Sequence, residues 1–440
     1  MKLEKSTYIK LMVRLITGIV FLSFFFFCHS CGTEKPETLV NTLHLDHLSQ
    51  TLNVNKQEMM IVHIYADYPD YEWTEAPGEG FTCIDDVARA AVFTIRSFHY
   101  RNQPESTRTL QALLEFILYM QAPNGLFYNF LFPDLSINTT HRNSQSRADW
   151  WSWRAIWALA EAAEYFEKEN PEFASELQKR IERTFPAIDS LLSDYPETLI
   201  EDNIKLPRWL PYGTAADQAG VMILALIPYY RMTQNPNAKE YIQKLAAGIS
   251  LMQLGDSLQF PYGSFLSWQN KWHAYGNSQA YALLEAGELL ENNEFIQRAL
   301  KEVKWFYPFL IKNSYLNEFA ISRSDNSYTM IDRKDFSQIA YGIRPMVWAC
   351  LKAHDITGEE KYANLAGEIA CWLLGKNITG QALYDPQSGR CYDGINDPKT
   401  LNKNSGAEST IEALLTLLEA EQNSVARKIV RDMYLGKSSR

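Results

Sequence analysis

Histidine and cysteine are scarce, at 8 and 6 in 440 residues. Two of the eight histidines, His29 and His44, fall in the signal region or the first tether residues, so few remain for proton transfer or metal ligation. No HExxH, P-loop, GxGxxG or GxSxG context occurs, which removes support for metalloprotease, nucleotide-binding and serine-hydrolase chemistry. No motif requires a cofactor or a metal. Positive charge is also short: 42 Lys and Arg stand against 52 Asp and Glu, a net charge of −10. An acidic chain of this kind argues against a nucleic-acid partner. Beyond the signal, four cysteines remain, Cys83, Cys350, Cys371 and Cys391, without the spacing of a zinc site. An exported protein can pair some of them, but Cys350 and Cys371 lie in apolar helical runs and read as buried thiols. After the first thirty residues no apolar run reaches the roughly 18 residues needed to span a bilayer.

What is present is a globular composition, 46% hydrophobic and 21% charged. The 13% aromatic content, with 11 Trp and 24 Tyr, suits either a large core or a sugar-binding cleft. Residues 1–31 stand apart. Lys2, Lys5, Lys10 and Arg14 form a basic start; "LMVRLITGIVFLSFFFF", interrupted only by Arg14, and then "CHSC" follow. This reads as an export signal resembling that of a bacterial lipoprotein, with Cys31 as the lipidated first residue of an envelope protein. Residues 32–57 are polar and read as a tether. "EMMIVHIYADYPDYEW" (58–73) alternates partially and predicts a short extended segment leading into a domain over 58–440.

That domain repeats. "EGFTCIDDVARAAVFTIRSF" from Glu79 has five relatives, starting at Ser146, Gly213, His273, Lys334 and Asn404. Each is a polar or Gly-containing lead followed by an apolar, mostly Ala-rich helix. Amphipathic helices lie between them. A fixed period of this kind marks repeated supersecondary units. Six hairpins, each with one apolar and one amphipathic helix, predict an all-α fold, an (α/α)6 toroid with the apolar helices in the inner ring. A flat solenoid needs polar capping repeats, and neither terminal repeat looks like one.

In a closed ring the N-terminal ends of the inner helices converge on one face. Asp85, Asp86, Asp149, Asp217, Asp335 and Glu408 are then expected around a single pocket, with Gln218 from the third helix and Asn277 and Gln279 from the fourth. Thr82, Ser146, Thr214 and Ser405 each stand three residues before an acid, which is capping-box spacing. Carboxylates also favour helix N-termini through the dipole. Capping therefore accounts for Asp85, Asp149, Asp217 and Glu408 taken singly. Asp86 is what that pattern leaves over. Arg89 is close enough in sequence to pair with Asp85 or Asp86. A carboxyl crowded by other acids has a raised pKa, which suits a general acid.

Trp150 and Trp151 are candidate sugar platforms, whereas Trp153 and Trp157, four apart, read as core. Trp209, Tyr212, Trp268, Trp272 and Tyr275 are further loop aromatics. His273 sits at a helix mouth and His141 just before one. His273 reads either as a substrate contact or proton carrier, or as a hydrogen-bonded loop residue.

"CIDDVARA", "GQALYDPQSGRCYDGI" and "NSGAESTIEALL" resemble an (α/α)6 family of the six-hairpin glycosidase superfamily, some of whose members are free-standing and some fused to glycosyltransferases. The likeness spans about residues 58–422. It implies a carbohydrate-active toroid with its site at the inner-helix N-termini. By motif it points to Asp85, Asp86, Arg89, Asp385, Asp393, Asn404 and Glu408. Asp385 and Asp393 also lie in a turn-rich stretch where stabilising turns is their ordinary role.

The expectation is a lipid-anchored protein acting on a carbohydrate. Glycoside hydrolysis comes first, with Asp86 as acid or base and Asp149, Asp217, Asp335 or Glu408 as its partner. A polysaccharide lyase using Tyr275 or His273 with Arg89 is an alternative, and a glycan-binding protein without catalysis is another. Epimerisation would lean on histidines, which are few at the helix mouths.

Overall fold

The computed structural model describes residues 38–54, 56–101, 106–324 and 327–436. The signal and lipidation expectations, Cys31 included, lie outside the described residues. The folded unit begins at Leu39.

The tether expectation fails from that point on. Residues 43–48 form a short helix, α1 (Leu43–Leu48), followed by an antiparallel hairpin of β1 (Ser49–Val54) and β2 (Gln57–Val62). Leu39, Val40, Leu45 and Leu48 are buried. The polar residues around them are used as anchors: the Tyr384 hydroxyl donates to Leu39 O at 2.8 Å, and Asn41 Nδ2 donates to Pro386 O at 2.9 Å. Composition reads this segment as polar because its apolar positions are few, but all of them except the exposed Leu43 are buried up to Leu48. A second hairpin, β3 (Tyr65–Asp67) with β4 (Glu72–Thr74), leads to the first long helix.

From there the chain alternates. The inner helices are α2 (Ile84–Arg101), α4 (Trp150–Glu169), α6 (Ala216–Thr233), α8 (Gln279–Leu289), α10 (Arg344–Thr357) and α12 (Ala407–Gln422). The outer helices are α3 (Ser106–Tyr119), α5 (Pro171–Glu182), α7 (Pro236–Leu251), α9 (Asn293–Lys301), α11 (Glu360–Ala370) and α13 (Ser424–Tyr434). Each inner helix packs on the outer helix that follows it and on the next inner helix, and α12 returns to α2. The ring is closed. The fold is the (α/α)6 toroid that the repeat predicts.

Burial explains the two kinds of helix. In α6 every residue from Ala216 to Tyr229 is buried, because neighbours cover it on all sides. In α13 only Ala426 and Val430 are fully buried, a narrow stripe on an outer helix. Trp153, Trp157 and Trp348 lie in the inner core. Each fully buried large apolar side chain contributes about 1.5–3 kcal/mol, so the inner ring dominates the stability of the fold. The four cysteines Cys83, Cys350, Cys371 and Cys391 are buried and free.

The loops before the inner helices carry short strands. β5 (Thr82–Cys83) pairs with β6 (Phe130–Leu131), and β7 (Lys271–His273) adds to a hairpin of β8 (Glu318–Ser324) and β9 (Ser327–Lys334). These strands lie before α2, before α4, before α8 and between α9 and α10, so they fix how the chain enters the ring.

Candidate active site

A cavity of about 420 Å3 opens at the N-terminal ends of the inner helices. Its walls include Asp85, Asp86, Arg89, Asp149, Trp150, Trp151, Tyr275 and Glu408 from the sequence expectations. Asp393, to which the motif resemblance points, is there as well, and so are Tyr65, Glu79, Cys83, Asn129, Arg154 and Tyr341.

Capping does not follow the expected pattern. Thr82 Oγ1 donates to Val62 O rather than serving the helix. The first two N–H groups of α2 are met from outside: Ile84 N bonds Asn129 O at 2.8 Å and Asp85 N bonds Asn129 Oδ1 at 3.3 Å. Asp85 is thereby released from capping and forms an ion pair with Arg154 Nη1 at 2.6 Å. Only Asp149 behaves as a true cap, with Oδ1 accepting from Trp150 N at 2.8 Å. It also accepts from Gln218 Nε2, from Arg147 and, at 2.6 Å, from the Tyr212 hydroxyl. That set of donors occupies both Asp149 oxygens.

Asp86 and Glu408 are joined by one guanidinium. Arg89 Nη1 reaches Asp86 Oδ1 at 2.8 Å, and Nη2 reaches Glu408 Oε2 at 2.7 Å. Arg89 Nε lies 3.1 Å from Glu412, which also pairs with Arg344. The Tyr275 hydroxyl donates to Glu408 at 3.2 Å, and the Cys83 thiol donates to Asp86 Oδ2 at 3.2 Å. Burial pushes the Asp86 carboxyl up to about 6; Arg89 opposes the rise and the charge of Glu408 adds to it. Burial, with the Asp86 and Asp85 charges, holds the Cys83 thiol well above its ordinary range, so it is a donor and not a thiolate. Burial likewise holds the Tyr275 phenol far above its usual value.

Arg154 is the second buried cation. Besides Asp85 it donates to the hydroxyls of Tyr275 and Tyr341, each at 3.2 Å, and lies 4.7 Å over the Trp150 ring. The aromatic wall is close-packed: Trp150 meets Tyr275 edge-on at 5.6 Å. Gly276, at φ +64°, makes this possible. A Cβ there would stand 3.0 Å from Trp150 and 3.1 Å from the Tyr341 hydroxyl.

The remaining expectations divide. Asp217 does not reach the cavity wall; its carboxylate holds His273 Nε2 at 2.9 Å and accepts from Gln218 N at 2.6 Å. Burial acts to lower the His273 pKa, but the hydrogen bond and charge of Asp217 outweigh it and leave it raised. Neither His273 nor Asn277 lines the cavity. Gln218 is used structurally, accepting from Trp153 Nε1 at 3.0 Å. Asp335 is half-exposed and pairs with Arg333 at 2.7 Å, because α10 starts only at Arg344 and the mouth of that hairpin is formed by Ile339, Ala340 and Tyr341. Asn404 is outside too, donating to Asp67 at 2.7 Å and tying down the β3–β4 turn. Asp385 braces its own turn through Ser388 and Gln387 N. Asp393 does reach the cavity, accepting from Gly406 N at 2.8 Å and Ser409 Oγ at 2.6 Å. Trp209 and Trp272 are core, whereas Tyr212 and Trp268 are exposed.

Arg154, Glu412 and Arg344 were missed by reasoning from helix mouths alone. Their signal is a charged residue on an otherwise apolar inner helix, which is buried only if paired. Among the described residues no group of three or more His, Cys, Asp or Glu is arranged to hold a metal ion.

No protein-family model matches the chain, and no curated protein sequence matches it. Solved structures do match in fold. A sugar epimerase from a ruminal bacterium superposes with a TM-score of 0.58 at 13% identity, over 88% of this chain and 97% of that one. The cellobiose 2-epimerase of Spirochaeta thermophila gives 0.54 at 15% identity, over 81% and 89%. That of Bacillus thermoamylovorans gives 0.56 at 12% identity, over 81% and 92%. At these identities the likeness is one of fold, and it places the chain among (α/α)6 toroids.

Proposed function

We propose that this protein is a carbohydrate-active enzyme that hydrolyses glycosidic bonds, with Asp86 as proton donor and Glu408 as the second carboxylate. The observation that carries the reading is the pair itself. On the wall of a cavity of ligand size, one guanidinium holds both carboxyls, and burial raises the more enclosed one to about 6. Hydrolysis of a glycoside needs these two states side by side, a carboxylic acid to protonate the leaving oxygen and a carboxylate to act as base or nucleophile. Asp85 and Arg154 form a second ion pair on the same cavity, and Trp150 and Tyr275 offer aromatic surface to sugar C–H faces. The resemblance of the three sequence strings to a six-hairpin glycosidase family and the sugar-acting neighbours support a carbohydrate substrate.

Two other chemistries find less support. A lyase needs a base with a lowered pKa and a cation free to neutralise a substrate carboxylate. Burial moves the Tyr275 phenol the wrong way, and both arginines are already engaged. Epimerisation by proton abstraction from carbon suits a base poised near the operating pH, most often histidine. Among the described residues no histidine lines this cavity.

The test is incubation of the full chain with a broad oligosaccharide panel, read by chromatography with mass detection. A product gaining one water establishes hydrolysis. Asp86→Asn is then expected to lower kcat/KM by about 10²–10⁴. The wild-type rate should fall as pH rises through about 6, where Asp86 loses its proton. Full turnover in Asp86→Asn refutes the assignment, and binding without any product turns the cavity into that of a glycan-binding protein.

The export signal and lipidation at Cys31 also belong to this proposal. They rest on the basic start, the apolar run and the "CHSC" string. Metabolic labelling with a fatty acid, lost in Cys31→Ser, tests them.

A further inference from the structure

The cavity also carries information on substrate charge, in a step that rests on the carbohydrate reading above. Six carboxyl groups line it: Glu79, Asp85, Asp86, Asp149, Asp393 and Glu408. The cations there are Arg89, Arg154 and, on Asp149, Arg147. Six against three leaves the wall negative by three charges, or by two when Asp86 holds a proton.

The distribution matters more than the sum. Both terminal nitrogens of Arg89 are taken by Asp86 and Glu408. Those of Arg154 are taken by Asp85 and by the Tyr275 and Tyr341 hydroxyls. Neither guanidinium has a fork to offer a substrate carboxylate or sulfate, the bidentate geometry by which arginine recognises such groups. Glu79 and Asp393, in contrast, have no cation within ion-pair distance among the described residues. Glu79 accepts only the Tyr65 hydroxyl at 3.0 Å; Asp393 accepts Ser409 Oγ and Gly406 N. The two are tied to adjacent residues, Tyr65 and Ile64. Tyr65 of β3 carries the bond to Glu79, and the preceding Ile64 carbonyl accepts from Ala407 N at the mouth of α12, next to Gly406. Burial and the charges of Glu408 and Asp67 raise the Asp393 pKa, as expected of a carboxylate without a counter-ion.

We propose that the cavity selects a sugar residue bearing a free, protonated amine, received between Glu79 and Asp393, and rejects uronic and sulfated sugars. An ammonium there supplies the missing counter-charge, whereas an anionic substituent meets a negative wall with no free cation.

The full-length chain is titrated at pH 7 with a glycan panel in which each backbone occurs as free amine, N-acetyl, uronate and O-sulfated forms. The amine form is expected to bind about tenfold tighter than its N-acetyl counterpart, a difference that shrinks with added salt. Asp393→Asn and Glu79→Gln keep the acceptor oxygens for Ser409, Gly406 and Tyr65, so the fold is preserved. Combined, they should abolish the amine preference while N-acetyl binding persists. Equal binding of amine and N-acetyl forms, or tighter binding of a uronate or sulfated form, overturns the inference and leaves the carbohydrate reading standing. Binding of no glycan at all overturns both.

Discussion

Glu302 gives a prediction that needs no substrate. It lies where α9 runs on through one π-helical turn, Glu302–Phe306, and it is buried. Its Oε1 accepts from Phe265 N at 3.1 Å, and no cation lies within ion-pair distance among the described residues. Burial raises its carboxyl to about 8, against an ordinary 4.5; the Phe265 bond opposes only in part. The sign follows from linkage. Below about 4.5 the carboxyl is protonated in both folded and unfolded chains and contributes nothing to the pH dependence. Between about 4.5 and about 8 the unfolded chain releases its proton while the folded one keeps it, so stability falls as pH rises. At ~1.4 kcal/mol per pH unit the loss approaches about 5 kcal/mol by pH 8 and then levels off. Glu302→Gln has nearly the same shape, can still accept from Phe265 N, and does not titrate. The difference in unfolding free energy between variant and wild type should therefore grow in favour of the variant across this window. Urea unfolding at pH 5, 6, 7 and 8, read by tryptophan fluorescence, measures it. A difference that stays flat with pH would refute the reasoning, because it would mean that Glu302 is ionised throughout.

Other outcomes follow from the site and the fold. Arg154→Gln strands the Asp85 carboxylate and should cost about 3–5 kcal/mol, seen as a lower thermal midpoint than that of the wild type. Gly276→Ala combines a left-handed φ with a Cβ 3.0 Å from Trp150; a loss of about 1–2 kcal/mol and a shift in tryptophan emission are expected. Deleting residues 39–48 removes Leu39, Val40, Leu45 and Leu48, each worth about 1.5–3 kcal/mol, and should give insoluble chain, which a true tether would not.

The ring was legible in the sequence because burial writes itself into composition. A helix covered on all sides, such as α6, is apolar all round, and one covered on a single stripe, such as α13, is not. The loops were less legible. β5 and β6 are two-residue strands that pair across more than forty positions, and no local pattern of two residues announces a partner. The site was legible by half. Spacing from the helix start placed Asp85, Asp86, Asp149 and Glu408 on the cavity. It misplaced Asp335, because the fifth lead runs on from β9 for nine residues before α10 begins. It misplaced Asp217, because that carboxylate turns to His273. Which way an acid at a helix mouth faces depends on the cation that meets it. Those cations come from other repeats: Arg154 of α4 for Asp85 of α2, and Arg89 of α2 for Glu408 of α12.

The opening acid pair of α2 can now be separated by charge balance. Asp85 faces Arg154, one against one, and that pair is neutral with both groups ionised. Asp86 belongs to a larger set in which Arg89 and Arg344 face Asp86, Glu408 and Glu412. Two guanidiniums cannot neutralise three carboxylates, so in a low-dielectric setting one proton is favoured on the set. Glu412 is closed off between both arginines, and Glu408 is open to the cavity and stabilised by Arg89 and Tyr275. Below about pH 6 the proton therefore resides on Asp86, the member burial raises to about 6. In the glycoside hydrolysis we propose, its transfer to a leaving oxygen returns the set to a net charge of −1 at the moment a glycosyl centre becomes positive. The cluster then offers the developing cation a counter-charge that was absent in the ground state, which is the differential stabilisation catalysis requires.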